Sequence, residues 1–350
     1  MNIKWHREAG NRNKRSRIVL LLSLLGVLAS GFCFITHANA EMKMRILLLD
    51  NKDFKVPQKN DKFTRLGDNS GDVLMGGVKY SGSVEVWKGE KSLYIINEVP
   101  IEEYIKGVVS AEVRENWDME ALKAQAVVAR TYAIYQKEHA GKDLPYDLTS
   151  TVLSQVYKGA NLSPLIAKAV DATRSEILTW QGKPIVAFYH STSGGMTEDA
   201  GEVFSESLPY LKPVKTDCEL SPYYMWEKVI PLAELEKVLG IKGIADIKID
   251  AYTVSGRVKE FRVLVEKALD PVIVPAIELR KKLGWDRLPS TLITALSRND
   301  GSFVFEGRGY GHGVGMCQWS ALQMARDGKT YREILQYFYP GTALLKYEDR

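Results

Sequence analysis

Residues 80–139 read YSGSVEVWKGEKSLYIINEVPIEEYIKGVVSAEVRENWDMEALKAQAVVARTYAIYQKEH. Over Tyr80–Trp87, Tyr80, Val84 and Val86 alternate with Ser81, Ser83 and Glu85, the period of a half-buried strand. Lys88-Gly89-Glu90 interrupts it and Ser92–Val99 resumes, which reads as a β-hairpin. Helical periodicity starts after Pro100, a residue suited to a first helical turn because its missing N–H would have no partner there. Asp118 then precedes a long Ala-rich helix, Met119 to about His139, closed by Gly141. A hairpin that hands over to helices, rather than strand and helix in alternation, predicts an α+β class with antiparallel sheets.

Outward from this stretch the pattern repeats. Upstream, Met42–Asp50 is a short apolar strand candidate and 51–75 a polar loop or weak hairpin. Downstream, Ile177–Trp180 and Ile185–Tyr189 flank Gln181-Gly182-Lys183 as a second hairpin. Ile247–Val254 and Phe261–Val265 flank Ser255-Gly256-Arg257 as a third. Helices are expected at Leu232–Leu239 (ended by Gly240), Pro275–Leu283, Ser320–Arg326 and Tyr331–Tyr337, and Phe303–Glu306 is a strand leading into a Gly-rich loop. A domain boundary is expected near 205–230, where Pro209, Pro213 and Pro222 fall. The chain has 350 residues, about two domains' worth. Its 45% hydrophobic and 26% charged content excludes wholesale disorder, collagen and coiled coil.

Charge is unevenly placed. Residues 1–40 hold six basic residues (Lys4, Arg7, Arg12, Lys14, Arg15, Arg17) and one acid, Glu8, leaving 41 basic and 42 acidic residues in the body. The body has no excess of cations, so no nucleic-acid partner is expected. After Arg17 an uncharged apolar run of 18 residues, Ile18–Ile35, precedes Ala38-Asn39-Ala40 and Glu41. A basic segment, an apolar core and an A-x-A site describe a secretory signal, yet the run is also just long enough to span a bilayer as an anchor. Both readings place the body outside the cytoplasm, with membrane contact only through the N-terminal segment. Cys33 lies inside the run, behind a Phe32 too bulky for a lipoprotein site.

Three constellations carry chemistry. The first is the helix from Ile101, whose face through positions 104/105 and 108/109 continues to Glu112. A carboxylate on a packed face is desolvated, which raises its pKa and suits a general acid; the plainer alternative is pairing with Arg114 or Arg130. The second is FYHSTSGGMT, residues 188–197, where Tyr189, His190, Ser191 and Ser193 precede Gly194-Gly195. It reads as a ligand-contacting strand end or a decorated turn; a nucleophile pair of His190 with Ser191 or Ser193 is disfavoured, since such pairs form in space rather than along the chain. The third is GRGYGHGVGMCQ, residues 307–318, a Gly-rich loop feeding a helix from about Gln318, where backbone donors can hold anions or hydroxyls. It matches neither a Walker A nor a dinucleotide motif. Cys317 near His312 raises a thiol nucleophile, against a small buried thiol. Past residue 40 the only His and Cys are His139, His190, His312, Cys218 and Cys317, without C-x-x-C or H-E-x-x-H spacing, so no metal or other cofactor is expected.

Six words in order, VPIEEYIKGVVSAEV (99–113), ALKAQAVVARTYA (121–133), SQVYKG (154–159), FYHSTSGGMTE (188–198), LPYLKPV (208–214) and GYGHGVGMCQWSALQMARDGKTYREILQYFYPGT (309–342), together resemble the SpoIID/LytB family, over roughly residues 42–347. That family holds sporulation stage II protein D, a lytic transglycosylase, and the LytB-type amidase enhancers. The resemblance implies two α+β lobes of antiparallel hairpins and packed helices around a long glycan-binding cleft. It implies cleavage of peptidoglycan glycan strands, preferably after a cell-wall amidase has removed the stem peptides, with Glu112 as the catalytic acid. It also implies 1,6-anhydro-muramic acid products; beside that, Gln125, Arg130 and Tyr189 are expected to contact sugar, and the loop around His312–Gly315, with Gly313, is expected to receive the anionic lactyl group. The chain departs from the family in two places. Cys317 stands where members commonly carry Ser, and residues 140–157 after His139 contain no Cys where some members bind zinc. The rival function is a non-catalytic glycan-binding enhancer of an amidase; a third, a Cys317–His312 thiol enzyme, rests on those two residues alone.

Overall fold

The computed structural model describes residues 41–348 apart from 49–61, 91, 142, 153, 161–162 and 205. The leader, its apolar run and Cys33 lie outside the described residues, among which no helix is long and apolar enough to cross a membrane. Eight described helices and several small sheets make a mixed α+β architecture.

The first sheet has strand order Thr64–Ser70, Ser83–Lys88, Leu93–Pro100, Lys43–Leu48 and Leu148–Thr149. The hairpin expected at 80–99 forms its centre, with Val86 opposite Ile95 and Trp87 opposite Tyr94. Tyr80 is not on its first strand. It ends Val78–Tyr80, which pairs with Val73–Met75, and Gly82 at φ +89° separates the two strands. A positive φ is open to glycine at little cost, and here it ends one alternation and starts another.

From the sheet the chain enters α1 (Ile101–Glu112), which buries Ile101, Tyr104, Ile105, Val108 and Val109. It continues into α2 (Met119–His139), whose alanines at 121, 124, 126, 129 and 133 are all buried. Small side chains let neighbouring backbones approach, and this helix is enclosed on every side. Asp118 occupies the N-cap position without a capping bond, its carboxylate facing Arg326 at 3.5 Å, and Ala140 rather than Gly141 is the C-cap. α3 (Pro164–Ala172) was not anticipated, because nine residues show barely two turns of period.

The second expected hairpin is cut short. Glu176–Trp180 pairs with the two-residue Lys183–Pro184 on one side and with Ala343–Lys346 on the other, and Tyr189–His190 runs parallel to Met316–Cys317 instead. After α4 (Ala200–Phe204) the chain builds a second hydrophobic core from Ile230, Leu235, Ile247, Phe261, Phe303 and Phe305. Two three-stranded sheets enclose it, one of Met225–Pro231, Ser302–Arg308 and Ile293–Asn299, the other the third expected hairpin, Ile244–Tyr252 with Val258–Val265, joined by Val272–Pro275. Beside them lie α5 (Leu232–Leu239), ended by Gly240 in the left-handed region at φ 71°, and α6 (Ala276–Leu283). α7 (Gln318–Arg326) and α8 (Tyr331–Phe338) return to the main core, α8 behind a Thr330/Glu333 capping box. α2 packs against α1, α3, α7 and α8, so the residue that ends α1 and the one that starts α7 meet beside the same helix.

Candidate active site

Glu112 is the last residue of α1; at Val113 the backbone becomes extended, φ −129° and ψ 163°. The residue is half-buried. Oε1 accepts the Val156 N–H at 3.2 Å and Oε2 accepts Gln318 Nε2 at 3.4 Å. Burial raises its pKa above the ordinary carboxylate value, opposed by the Val156 and Gln318 bonds, the Tyr189 hydroxyl and the Lys158 charge. Neither Arg114 nor Arg130 pairs with it: Arg114 lies over the Trp319 ring, 5.8 Å from its centre, and Arg130 is bound elsewhere.

A polar relay stands behind this carboxyl. Tyr104 OH donates to Gln155 Oε1 at 3.2 Å, and Gln155 Nε2 donates to the Tyr189 OH at 3.3 Å. Gln318 Nε2 also donates to the buried Gln125 Oε1 at 3.4 Å. Gln125, Tyr189, Gln318 and Glu112 are thus brought together from four segments. Gln155 completes the group and was missed from sequence; its one signal was a polar residue inside the SQVYKG word.

Arg130 is not a sugar contact. It is fully buried, with Nε and Nη2 donating to the two oxygens of Glu102 at 3.0 and 2.7 Å and further bonds to the Glu176 and Val170 carbonyls. A guanidinium committed to a buried bidentate pair has no edge left for a ligand.

The Gly-rich loop makes several hydrogen bonds to the rest of the protein. The Gly309 N–H goes to Tyr223 O, Gly311 to Pro289 O, Val314 to His312 Nδ1 and Met316 to Phe188 O. A Cβ at Gly313 would meet the buried Arg257 guanidinium at 2.6 Å, and one at Gly315 would collide with the Phe188 carbonyl. Gly315 also sits at φ +72°. Gly315→Ala is therefore expected to lose at least about 1–3 kcal/mol of stability by urea unfolding; an unchanged midpoint would return the loop to ligand binding. His312 is packed against Phe188, Phe204 and His190, and burial pushes its pKa down to about 3.

The hydroxyl run is likewise turned inward. His190 is buried with Nδ1 beside Val314 O at 3.1 Å, and burial holds its pKa well below the ordinary value. Ser191 Oγ contacts Thr192 Oγ1 at 3.2 Å, and Ser193 Oγ contacts Thr216 Oγ1 at 2.6 Å, so neither serine is paired with His190. The Gly194 and Gly195 N–H groups point at the Cys218 sulfur. Cys317 is fully buried and its thiol is pushed up by burial, the opposite of an activated nucleophile. The thiol-enzyme reading therefore falls. His139 stacks on Tyr135 with Nδ1 2.7 Å from the Tyr135 carbonyl. Among the described residues no group of three His, Cys, Asp or Glu side chains could hold a metal ion.

Comparison with known proteins agrees with the six sequence words. The family described as Stage II sporulation protein (SpoIID) matches residues 89–180, and a domain of unknown function (DUF8618) matches residues 212–315. An uncharacterised protein of Brachyspira hyodysenteriae is 34% identical over 78% of this chain and 74% of its own length. Stage II sporulation protein D of Bacillus subtilis is 32% identical over 71% of this chain and 75% of its own length. The Bacillus subtilis amidase enhancer is 30% identical over 69% of this chain but only 40% of its own length. With Glu112 ending the helix of the matched region, the chain belongs to the SpoIID family.

Proposed function

We propose that the protein is a peptidoglycan lytic transglycosylase acting outside the cytoplasm on peptide-stripped glycan strands, with Glu112 as its acid and base. The observation that carries this reading is the Glu112 carboxyl at the end of α1, its pKa raised by burial and its oxygens held by Val156 and Gln318. Hydrolytic glycosidases need two carboxylates, one to protonate the leaving oxygen and one to activate water or attack the sugar. One suffices when the substrate supplies the nucleophile. Glu112 gives its proton to the glycosidic oxygen as the C1–O bond breaks. The resulting carboxylate takes the proton of the muramic acid 6-hydroxyl as O6 bonds to C1, which closes the 1,6-anhydro ring and restores the acid. Gln318 and Tyr189 hold the carboxyl in place, and Gln155 orients the tyrosine.

Mass spectrometry of products from peptide-free glycan strands tests this. Anhydro ends are expected; hydrolytic reducing ends would overturn the transglycosylase reading. The amidase-enhancer relative favours a second reading, a glycan-binding stimulator of a cell-wall amidase. Binding without cleavage, together with faster turnover by an added amidase, would establish that one instead.

Tyr189→Phe gives a finer test. The tyrosine's bond lowers the Glu112 pKa, so its removal raises it further. The protonated acid is the active form: activity is present below that pKa and lost as pH rises through it. The alkaline loss in a pH–rate profile should move to higher pH in Tyr189→Phe, with a smaller fall in rate than removing Glu112 causes.

A further inference from the structure

We propose that Cys218 and Cys317 are a disulfide-forming pair that clamps the two points at which the chain leaves and re-enters the main core. Both belong to that core, and among its buried residues Cys218 is followed in sequence by Val314, Met316 and Cys317. Every residue of the second core falls between the two cysteines, from Trp226 to Phe305. They therefore stand at the base of an excursion that carries both three-stranded sheets, α5 and α6.

Folding brings the two sulfurs to one residue. The Ser193 N–H donates to Cys317 Sγ at 3.3 Å, and Ser193 Oγ lies 3.5 Å from Cys218 Sγ. The two thiols also hydrogen-bond each other. Both flanking backbones are tied to the segment that holds Ser193. Cys317 pairs with His190, and the Thr216 N–H donates to Gly195 O at 3.0 Å. The structure holds both residues as free, fully buried thiols.

The oxidant is a disulfide, of a small thiol or of an oxidoreductase, as met outside the cytoplasm. The Cys218 thiolate attacks one sulfur of that disulfide and expels the other as a thiolate, leaving a mixed disulfide. Cys317 loses its proton to solvent and its sulfur attacks the Cys218 sulfur, expelling the second thiolate. Two thiols are oxidised to one disulfide and one disulfide is reduced to two thiols. Both sulfurs are enclosed in the folded protein, so the exchange belongs to the folding or locally opened chain. The bond closes a loop over residues 219–316, and a long loop gives a large restriction of the unfolded chain. It also fixes the N-cap of α7, next to the Gln318 that binds Glu112. The clamp forms whether the protein cleaves glycan or only binds it.

The test uses the full chain with Cys33→Ser, so that one pair of thiols remains. Purified protein is incubated with oxidised glutathione in urea below its unfolding midpoint, and a second portion with excess dithiothreitol. Free thiols are then alkylated in strong denaturant, and the chain is digested with trypsin without reductant. Mass spectrometry should find residues 216–228 joined to 309–326 in the oxidised portion alone. After removal of urea, the oxidised protein should unfold at a temperature at least about 5 °C above the reduced one. Adding Cys317→Ser, the residue that family members commonly carry there, should abolish the difference. Two alkylated cysteines, or a glutathione adduct on each without a cross-link, overturn the pairing. A cross-linked protein no more stable than the reduced one overturns the clamp.

Discussion

Glu112→Gln is expected to fold, to bind glycan and to lose cleavage by at least about 10²–10⁴-fold, the usual contribution of a general acid–base group. Gln keeps the size of the side chain and a carbonyl oxygen for the Val156 N–H, yet has no proton to give to the leaving oxygen. Stability should move the other way at neutral pH. Burial raises the Glu112 pKa in the folded protein, so protonation favours folding. That contribution is fully present below the unfolded value of about 4.3 and is lost as pH rises through the raised one. Above it, a half-buried charge opposes folding in the wild type but not in the variant. Thermal unfolding should show Glu112→Gln at least as stable as wild type at pH 8, with the difference closing towards pH 4. Cleavage at the wild-type rate would remove Glu112 from the chemistry.

Glu102→Ala is expected to cost about 3–5 kcal/mol of stability. Glu102 and Arg130 are both almost fully buried and bonded through two contacts of 3.0 and 2.7 Å, and Glu102 Oε1 also accepts the Ser175 N–H at 3.0 Å. Removing the carboxylate leaves a buried guanidinium and a backbone donor unpaired, which costs far more than the pair's net attraction is worth. Glu102→Ala combined with Arg130→Met should be less destabilised than Glu102→Ala alone, because the uncompensated charge is gone. Urea midpoints for the single and double variants decide the matter. A loss under about 1 kcal/mol in the single variant would mean that water reaches the pair.

The α1 stripe was legible because it is local: Ile101, Ile105 and Val108 repeat within three turns, and the same period carries Glu112 to the packed side. Gly240 at the end of α5 is local for the same reason. The hydroxyls of 188–197 and the glycines of 307–315 were read as ligand contacts because such residues serve ligands and packing equally well in isolation. Their neighbours decide between the two. Gly315 must admit the Phe188 carbonyl, Ser193 lies against Thr216 and Cys218, and Arg130 finds Glu102 on another helix. Strand pairing is non-local in the same way, which is why Tyr189–His190 left its expected hairpin for Met316–Cys317.

By itself, then, the sequence determined the α+β class, the helix that presents Glu112 and membership of a family, since these follow from short-range periodicity and from words that stand in order. Only the tertiary structure decided that burial raises the Glu112 pKa. Its enclosure comes from Val156, 44 residues away, and Gln318, 206 residues away, and desolvation is a property of the packed surroundings rather than of the residue.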